Sequence, residues 1–117
     1  MGELEELTSL LKSFRDARNW EQFHNPKDLA TALSIEAAEL NELYLWKRDE
    51  SEWEDIPEER IREELADIFA YALLLADRYD LDISEIVREK VEKNEKKYPV
   101  EKSYNRSTKY SDLPDID

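Results

Sequence analysis

Apolar residues recur every three or four positions along most of this chain, which is the spacing of one face of an α-helix. Acidic pairs interrupt two of these apolar stripes, Glu36 with Glu39 and Glu64 with Asp67. The single glycine and the four prolines suit helix boundaries and leave little opportunity for tight hairpins. The pattern therefore predicts an all-α fold.

Four helices are predicted from this pattern and from helix start and stop signals. They run from about Glu3 to Trp20, from Asn25 or Pro26 to Arg48, from just after Pro57 to Tyr79, and from Asp82 or Ser84 to Lys97. The last twenty residues show no period. We therefore expect a helical domain over residues 1–97 and an irregular C-terminal tail over residues 98–117.

The acidic pairs lie on the apolar faces of the second and third predicted helices. Residues three apart project from the same side of a helix, so two packed helices would bring all four carboxylates together. Crowded like charges raise one another's pKa and destabilise the fold unless a cation intervenes. Acidic pairs also arise by chance in a chain that is 40% charged. Their shared position on apolar faces nevertheless predicts a metal site made of Glu36, Glu39, Glu64 and Asp67.

The available ligand types favour a hard cation. The chain has no cysteine, and its one histidine, His24, lies in the loop before the second predicted helix and cannot supply the two Glu-x-x-His pairs of a di-iron centre, so thiolate zinc and di-iron sites of that kind are excluded. Carboxylate oxygens favour Mg²⁺, with Mn²⁺ as a substitute, whereas Ca²⁺ usually takes backbone carbonyls from loops. Because Mg²⁺ is commonly shared between carboxylates and substrate phosphates, we expect a phosphate-bearing substrate.

The charge balance limits the partners. Thirty acidic and seventeen basic residues give a net charge of -13, which disfavours nucleic-acid polymers and anionic membranes. The first residues are charged and amphipathic, unlike a signal peptide, and no stretch reaches the length of an apolar membrane span. We expect a cytoplasmic protein.

Three segments resemble a known family: RNWEQFHNPKDLATALSIEAAELNELYLW, EELADIFAYALLLADRYDLD and KVEKNEKKYP, with KYSDL near the end. Together they are similar to the all-α nucleoside triphosphate pyrophosphohydrolases of the MazG-like superfamily, with the closest resemblance to the dCTP pyrophosphatase branch. The resemblance covers about Arg18 to Tyr110. It implies hydrolysis between the α and β phosphates, giving a monophosphate and pyrophosphate, with magnesium held by the same four carboxylates. One of them, or Glu63, would act on the attacking water.

The resemblance also implies which residues bind the substrate. They are Trp20, His24, Trp46, Tyr71, Lys90, Asn94 and Lys97. The three aromatic residues would enclose the base, and those of the last helix would contact polar groups of the nucleotide. His24 matches a family histidine, and its loop position favours a base-edge or a structural hydrogen bond over a catalytic role. Lys97 stands where an arginine is common in the family. Lysine keeps the positive charge but lacks the paired N–H donors of a guanidinium. The spacing supports this role for two of the aromatic residues. Trp46 continues the helical stripe of Glu36 and Glu39, and Tyr71 follows Asp67 by one turn.

The family fold implied is of the four-helix-bundle type, assembled as a homo-oligomer, with a tetramer favoured over a dimer. The expected substrate is dCTP or a modified dCTP, for nucleotide pool sanitation, while dUTP, dTTP and broad specificity stay open. Two alternatives are an acidic helical adaptor without catalysis and a Mg²⁺-dependent nucleotide-binding sensor without turnover.

Overall fold

The structure is a computed structural model that describes residues 2–115. Within that range the chain forms six α-helices, namely α1 (Glu3–Ala17), α2 (Pro26–Glu42), α3 (Glu50–Trp53), α4 (Glu58–Arg78), α5 (Ile83–Lys97) and α6 (Val100–Ser103). Two short 3₁₀ segments add Glu21–Phe23 and Tyr110–Asp112. No strand occurs among these residues, so the predicted all-α fold is confirmed. No helix in the described part of the chain is both long and apolar enough to cross a membrane.

The described residues form two compact units that divide between Leu81 and Asp82. The first contains α1 to α4, and the second contains α5, α6 and the segment that follows. The tail includes one helical turn, α6, and one 3₁₀ turn near its end, which the sequence pattern did not indicate. The division at residue 97 stays a prediction.

The first unit is held together by α4, which packs along α2 and also contacts α1. Leu29 of α2 is the most deeply buried side chain of this core, with 2% of its surface exposed, and Leu73, Leu74 and Ala76 of α4 are buried as well. The two central helices run antiparallel, because Leu29 and Leu74 border one cavity while Glu36, seven residues further along α2, meets Asp67, seven residues earlier in α4. This packing positions both acidic pairs.

The helix starts follow the predicted signals. The Asn25 side chain accepts a hydrogen bond from the Asp28 backbone N–H at 2.9 Å, and Pro26 occupies the first turn of α2. Asp82 caps α5 in the same way, accepting from the Glu85 N–H at 3.2 Å. Each cap satisfies a backbone donor that the helix itself leaves unpaired.

The predicted end of the first helix at Trp20 is wrong, because α1 ends at Ala17. Asn19 adopts a left-handed backbone with φ of 56°. The Trp20 N–H then bonds to the Arg15 carbonyl and the Asn19 N–H to the Asp16 carbonyl, which is the Schellman arrangement. Asp80 closes α4 by the same pattern of bonds.

The predicted extension of the second helix to Arg48 is also wrong. From Leu43 onward the chain winds out in i to i+3 turns, and Trp46 has a left-handed φ of 65°. Asp49 then starts α3, because its side chain accepts from the Glu52 N–H, while the Glu52 carboxylate accepts from the Arg48 N–H at 2.6 Å. A separate N-terminal signal therefore interrupts the extended helix.

Candidate active site

The acidic pairs of α2 and α4 face each other across the packed helices. Carboxylate oxygens of Glu36, Glu64 and Asp67 lie within 4.8 Å of one another, and we call these three residues the carboxylate cluster. Glu39, one turn further along α2, is close enough for its charge to act on both Glu36 and Glu64. The structure therefore brings together the four residues that the sequence predicted.

Burial and mutual repulsion disfavour ionisation within the cluster. The pKa of Glu36 rises from an ordinary 4.5 to about 7, first because burial penalises the charged form and then because Glu39, Asp67 and Glu64 lie nearby. The pKa of Glu64 is also raised, with burial again the largest cause. Two carboxyl groups are thus held where a negative charge is costly.

Two oxygens of the cluster are buried without a protein partner. Glu36 Oε2 and Glu64 Oε2 accept no hydrogen bond from the described residues. A buried acceptor left unpaired costs free energy, and a bound divalent cation would compensate for it. The donors are all hard oxygens, which suits Mg²⁺ or Mn²⁺ better than zinc or copper. The cluster therefore fits a divalent metal site.

Tyr71 borders the cluster, one turn beyond Asp67 on α4. Its pKa is raised by burial and then by the charges of Glu36, Asp67 and Glu39, which places the phenol beside these carboxylates. The predicted position of Tyr71 next to the acidic residues is therefore met in the structure, although its contact with a base stays a prediction.

Trp46 does not lie on the helical stripe of Glu36 and Glu39, because α2 ends at Glu42. It follows the helix in a turn, with 85% of its surface exposed. A left-handed backbone is uncommon for a bulky side chain and costs roughly 1–3 kcal/mol. An exposed indole on a strained turn remains suited to stacking, but the helical argument for its position was wrong.

Trp20 belongs to an aromatic group at the end of α1. Its ring meets that of Phe14 edge to face, with 5.8 Å between centroids, and the Arg18 guanidinium lies 3.7 Å from the Phe14 centroid. The indole is partly exposed. Its predicted role with the base is untested by this geometry.

His24 lines a polar cavity of about 430 Å³ in the first unit. Its Nδ1 is buried and accepts or donates no hydrogen bond within residues 2–115. Burial, followed by the charge of Arg15, lowers the pKa of His24 and so favours the neutral imidazole. Arg15 is buried on the wall of the same cavity, and sequence reasoning missed it. Its position on the largely exposed α1 gave no signal that this arginine would be enclosed.

Lys90, Asn94 and Lys97 share one face of α5 by their spacing. They belong to the second compact unit, where the Lys97 ammonium lies 4.9 Å from the ring centroid of Tyr110. Tyr110 in turn meets Tyr98 edge to face, with 6.0 Å between centroids. These contacts hold the C-terminal 3₁₀ turn against the end of α5, and the predicted nucleotide contacts of the three residues stay predictions.

Comparison with known proteins identifies relatives along most of the chain. The MazG-like family matches residues 31–113. The chain is 40% identical to dCTP pyrophosphatase 1 of Bos taurus over 115 residues, covering 95% of this chain and 68% of that protein. Identity to dCTP pyrophosphatase 1 of Homo sapiens is 36% over the same length and coverage.

A solved structure agrees with these sequence relatives. The crystal structure of a pyrophosphatase from Archaeoglobus fulgidus matches with a TM-score of 0.79 and 41% identity, covering 85% of this chain and 94% of that one. The enzyme class predicted from the sequence, a nucleoside triphosphate pyrophosphatase, is confirmed by these relatives. Because the family match spans well over half of the sequence and the fold agrees, the chain belongs to the MazG-like family.

Proposed function

We propose that this chain hydrolyses dCTP to dCMP and pyrophosphate, using a divalent cation held by Glu36, Glu39, Glu64 and Asp67. The observation that carries the proposal is the carboxylate cluster, whose oxygens lie within 4.8 Å and include two buried acceptors without partners. The relatives from Bos taurus and Homo sapiens are dCTP pyrophosphatases, which supports the choice of substrate. Mg²⁺ is the proposed metal, and Mn²⁺ is a substitute.

The four carboxylates would hold the cation. When bound, the metal neutralises phosphate charge and lowers the pKa of a coordinated water. Glu63, which is exposed and precedes Glu64 in α4, or one of the four carboxylates would accept a proton from the attacking water. The aromatic residues Trp20, Trp46 and Tyr71 would stack on or enclose the base, because an aromatic face accepts a flat ring.

A triphosphate needs positive contacts besides the metal. Lys90 and Lys97 would supply charge to the phosphate oxygens, and Asn94 would add a neutral donor. His24, whose lowered pKa favours the neutral imidazole, would offer a hydrogen bond and no charge.

We further propose that the working enzyme is a homo-oligomer, with a tetramer favoured over a dimer. Large apolar side chains lie exposed on several helices of a single chain, including Leu10 of α1 and Phe69 of α4, with 66% and 64% of their surfaces exposed. Exposed apolar surface of this kind marks association sites. We place the enzyme in the cytoplasm, where removal of modified dCTP would protect the nucleotide pool.

The test is pyrophosphate release from the eight common nucleoside triphosphates and 5-methyl-dCTP, with Mg²⁺, with Mn²⁺ and with chelator. We expect metal-dependent release that is strongest for cytosine deoxynucleotides. Tight metal-dependent binding without pyrophosphate would favour the nucleotide sensor instead. If the chain neither binds these nucleotides nor releases pyrophosphate from them, the result would favour the acidic helical adaptor. The four carboxylates would then have no catalytic explanation.

A further inference from the structure

The cavity that contains His24 shares no residue with the carboxylate cluster. Its walls come from α1, the segment after α1, the start of α2 and the end of α4. The charged side chains on these walls are of both signs, namely Lys12, Arg15, Glu21, Asp77, Arg78 and Asp80. Lys12 is paired with Asp77 at 3.4 Å. A lining with balanced charge and several amide or imidazole groups suits a neutral, polar ligand better than an ion.

Arg15 is the most enclosed charged residue of the cavity, with 9% of its surface exposed. Its Nε donates to Asp16 Oδ1 at 2.8 Å. Among the described residues, no acceptor takes a hydrogen bond from either terminal nitrogen, and Glu21 Oε2 lies 3.9 Å from Nη2. The guanidinium therefore presents two adjacent donors with a carboxylate acceptor beside them.

The cavity and the cluster lie about two helical turns apart along α2 and α4. Leu29 and Leu74 lie on the cavity wall. Glu36 is seven positions after Leu29 in α2, and Asp67 is seven positions before Leu74 in α4. At the helical rise this is about 10 Å. A nucleotide whose phosphates lie at the cluster could therefore extend its base toward Arg15, along the antiparallel pair of helices.

We propose that Arg15 and Glu21 are specificity-determining residues that read the pairing edge of cytosine. The Arg15 terminal nitrogens donate to cytosine O2 and N3, and the Glu21 carboxylate accepts from the N4 amino group. This inference rests on the proposed dCTP pyrophosphatase function and adds to it the groups that recognise the base.

The chemistry of the pair discriminates by repulsion as well as by attraction. Two donors and one acceptor in this order reproduce the pattern that guanine offers to cytosine. Uracil and thymine present an N3–H donor and an O4 acceptor instead. The N3–H would face a donor of Arg15, and O4 would face the acceptor oxygen of Glu21. The unpaired nitrogens of the buried Arg15 and the repulsion from the Glu21 carboxylate would both disfavour uracil and thymine.

The test compares dCTP with dUTP for Arg15→Gln. Glutamine offers one acceptor and one donor, which fits the uracil edge, so the ratio of kcat/KM for dCTP over dUTP should fall by roughly 10- to 100-fold. Glu21→Ala removes the carboxylate that would repel uracil O4 and should lower the same ratio. Glu21 has an exposed side chain, so this second variant does not depend on repacking a buried site.

The matched control is Arg60→Gln, which removes an exposed arginine of α4 outside the cavity and should leave the ratio unchanged. An unchanged ratio in both folded variants would overturn base reading by this pair. Binding of dCMP and dUMP, measured by calorimetry, separates this result from a failure of the proposed function. If wild-type protein releases no pyrophosphate, the proposed function is overturned, and the ratio of the two dissociation constants still decides the role of Arg15 and Glu21.

Discussion

At the scale of single residues, Glu36 and Glu64 carry most of the free-energy cost of holding ionised carboxylates together in the carboxylate cluster. Both carboxyl groups have a raised pKa, and both keep one buried oxygen unpaired. Protonation and metal binding are alternative ways to relieve the same repulsion. The stability of the chain should therefore depend on which of the two is available.

Metal-free protein should lose stability as pH rises from about 4.5 to about 7. Across this window native Glu36 binds more protons than it does in the unfolded chain, so the free energy of unfolding falls with increasing pH. The contribution is fully present below about pH 4.5 and is lost as pH passes the folded pKa of about 7. Urea unfolding with chelator at several pH values measures the slope.

Glu36→Gln is the control for this pH dependence, because an amide does not titrate there. The variant should show a smaller decline over the same window, and saturating Mg²⁺ should reduce the decline in wild-type protein by stabilising the folded form. Equal slopes for variant and wild type would contradict the assignment to Glu36.

Neutralising a carboxylate should separate activity from stability. Glu39→Gln or Asp67→Asn should abolish turnover by removing a metal contact, and should keep or raise the melting temperature in metal-free buffer by reducing repulsion. Pyrophosphate release and thermal unfolding measure the two effects. Glu42→Gln, on the exposed end of α2, is the control and should retain activity. Near-normal turnover in the cluster variants would remove the proposed site.

At the scale of helices, the sequence predicted starts better than ends. Asn25 and Asp82 are caps that act through their own side chains, so a local pattern suffices to find them. The end of α1 depends on Asn19 adopting a left-handed backbone, which that residue type permits without requiring. The acidic faces of α2 and α4 were predictable because helical spacing alone sets them.

The positions of Trp46 and Arg15 were harder to predict. Trp46 continues the apolar period of α2, yet the Asp49 cap of α3 begins a new helix three residues later. Arg15 becomes enclosed only when the segment after α1 and the end of α4 close around it. Such enclosure depends on contacts between distant parts of the chain, which periodicity does not report.

The packing of α2 on α4 should depend strongly on Leu29. Leu29→Ala would leave a cavity at the most buried side chain of the core, and we expect a loss of about 2–5 kcal/mol in the free energy of unfolding. Denaturant titration checks this value. Thr31→Ala is the control on the exposed side of α2 and should change stability by no more than about 0.5 kcal/mol. Similar effects from both variants would contradict the core placement of Leu29.

At the scale of the whole molecule, exposed apolar surface and a net charge of -13 act in opposite directions on assembly. Apolar burial favours association, while the like charge of the protomers opposes it. Salt screens the repulsion and leaves the apolar contribution largely intact.

We therefore predict an oligomer at micromolar concentration that becomes more stable as salt is raised from low to physiological strength. Light scattering of the purified chain should give a mass that is a multiple of the 14.0 kDa protomer. Dilution at two salt concentrations measures the salt effect. A 14.0 kDa species across the whole range would contradict the proposed assembly.

The exposed indole of Trp46 makes this residue an optical probe. In the single chain it lies almost fully in water, whereas Trp20 and Trp53 are only partly exposed. An indole surrounded by water emits at longer wavelength than one covered by apolar or aromatic groups. If a base or a second protomer covers Trp46, the emission should shift to shorter wavelength or be quenched, and Trp46→Phe should remove most of that change. The same tryptophan would therefore report occupancy of the enzyme in real time without any added label.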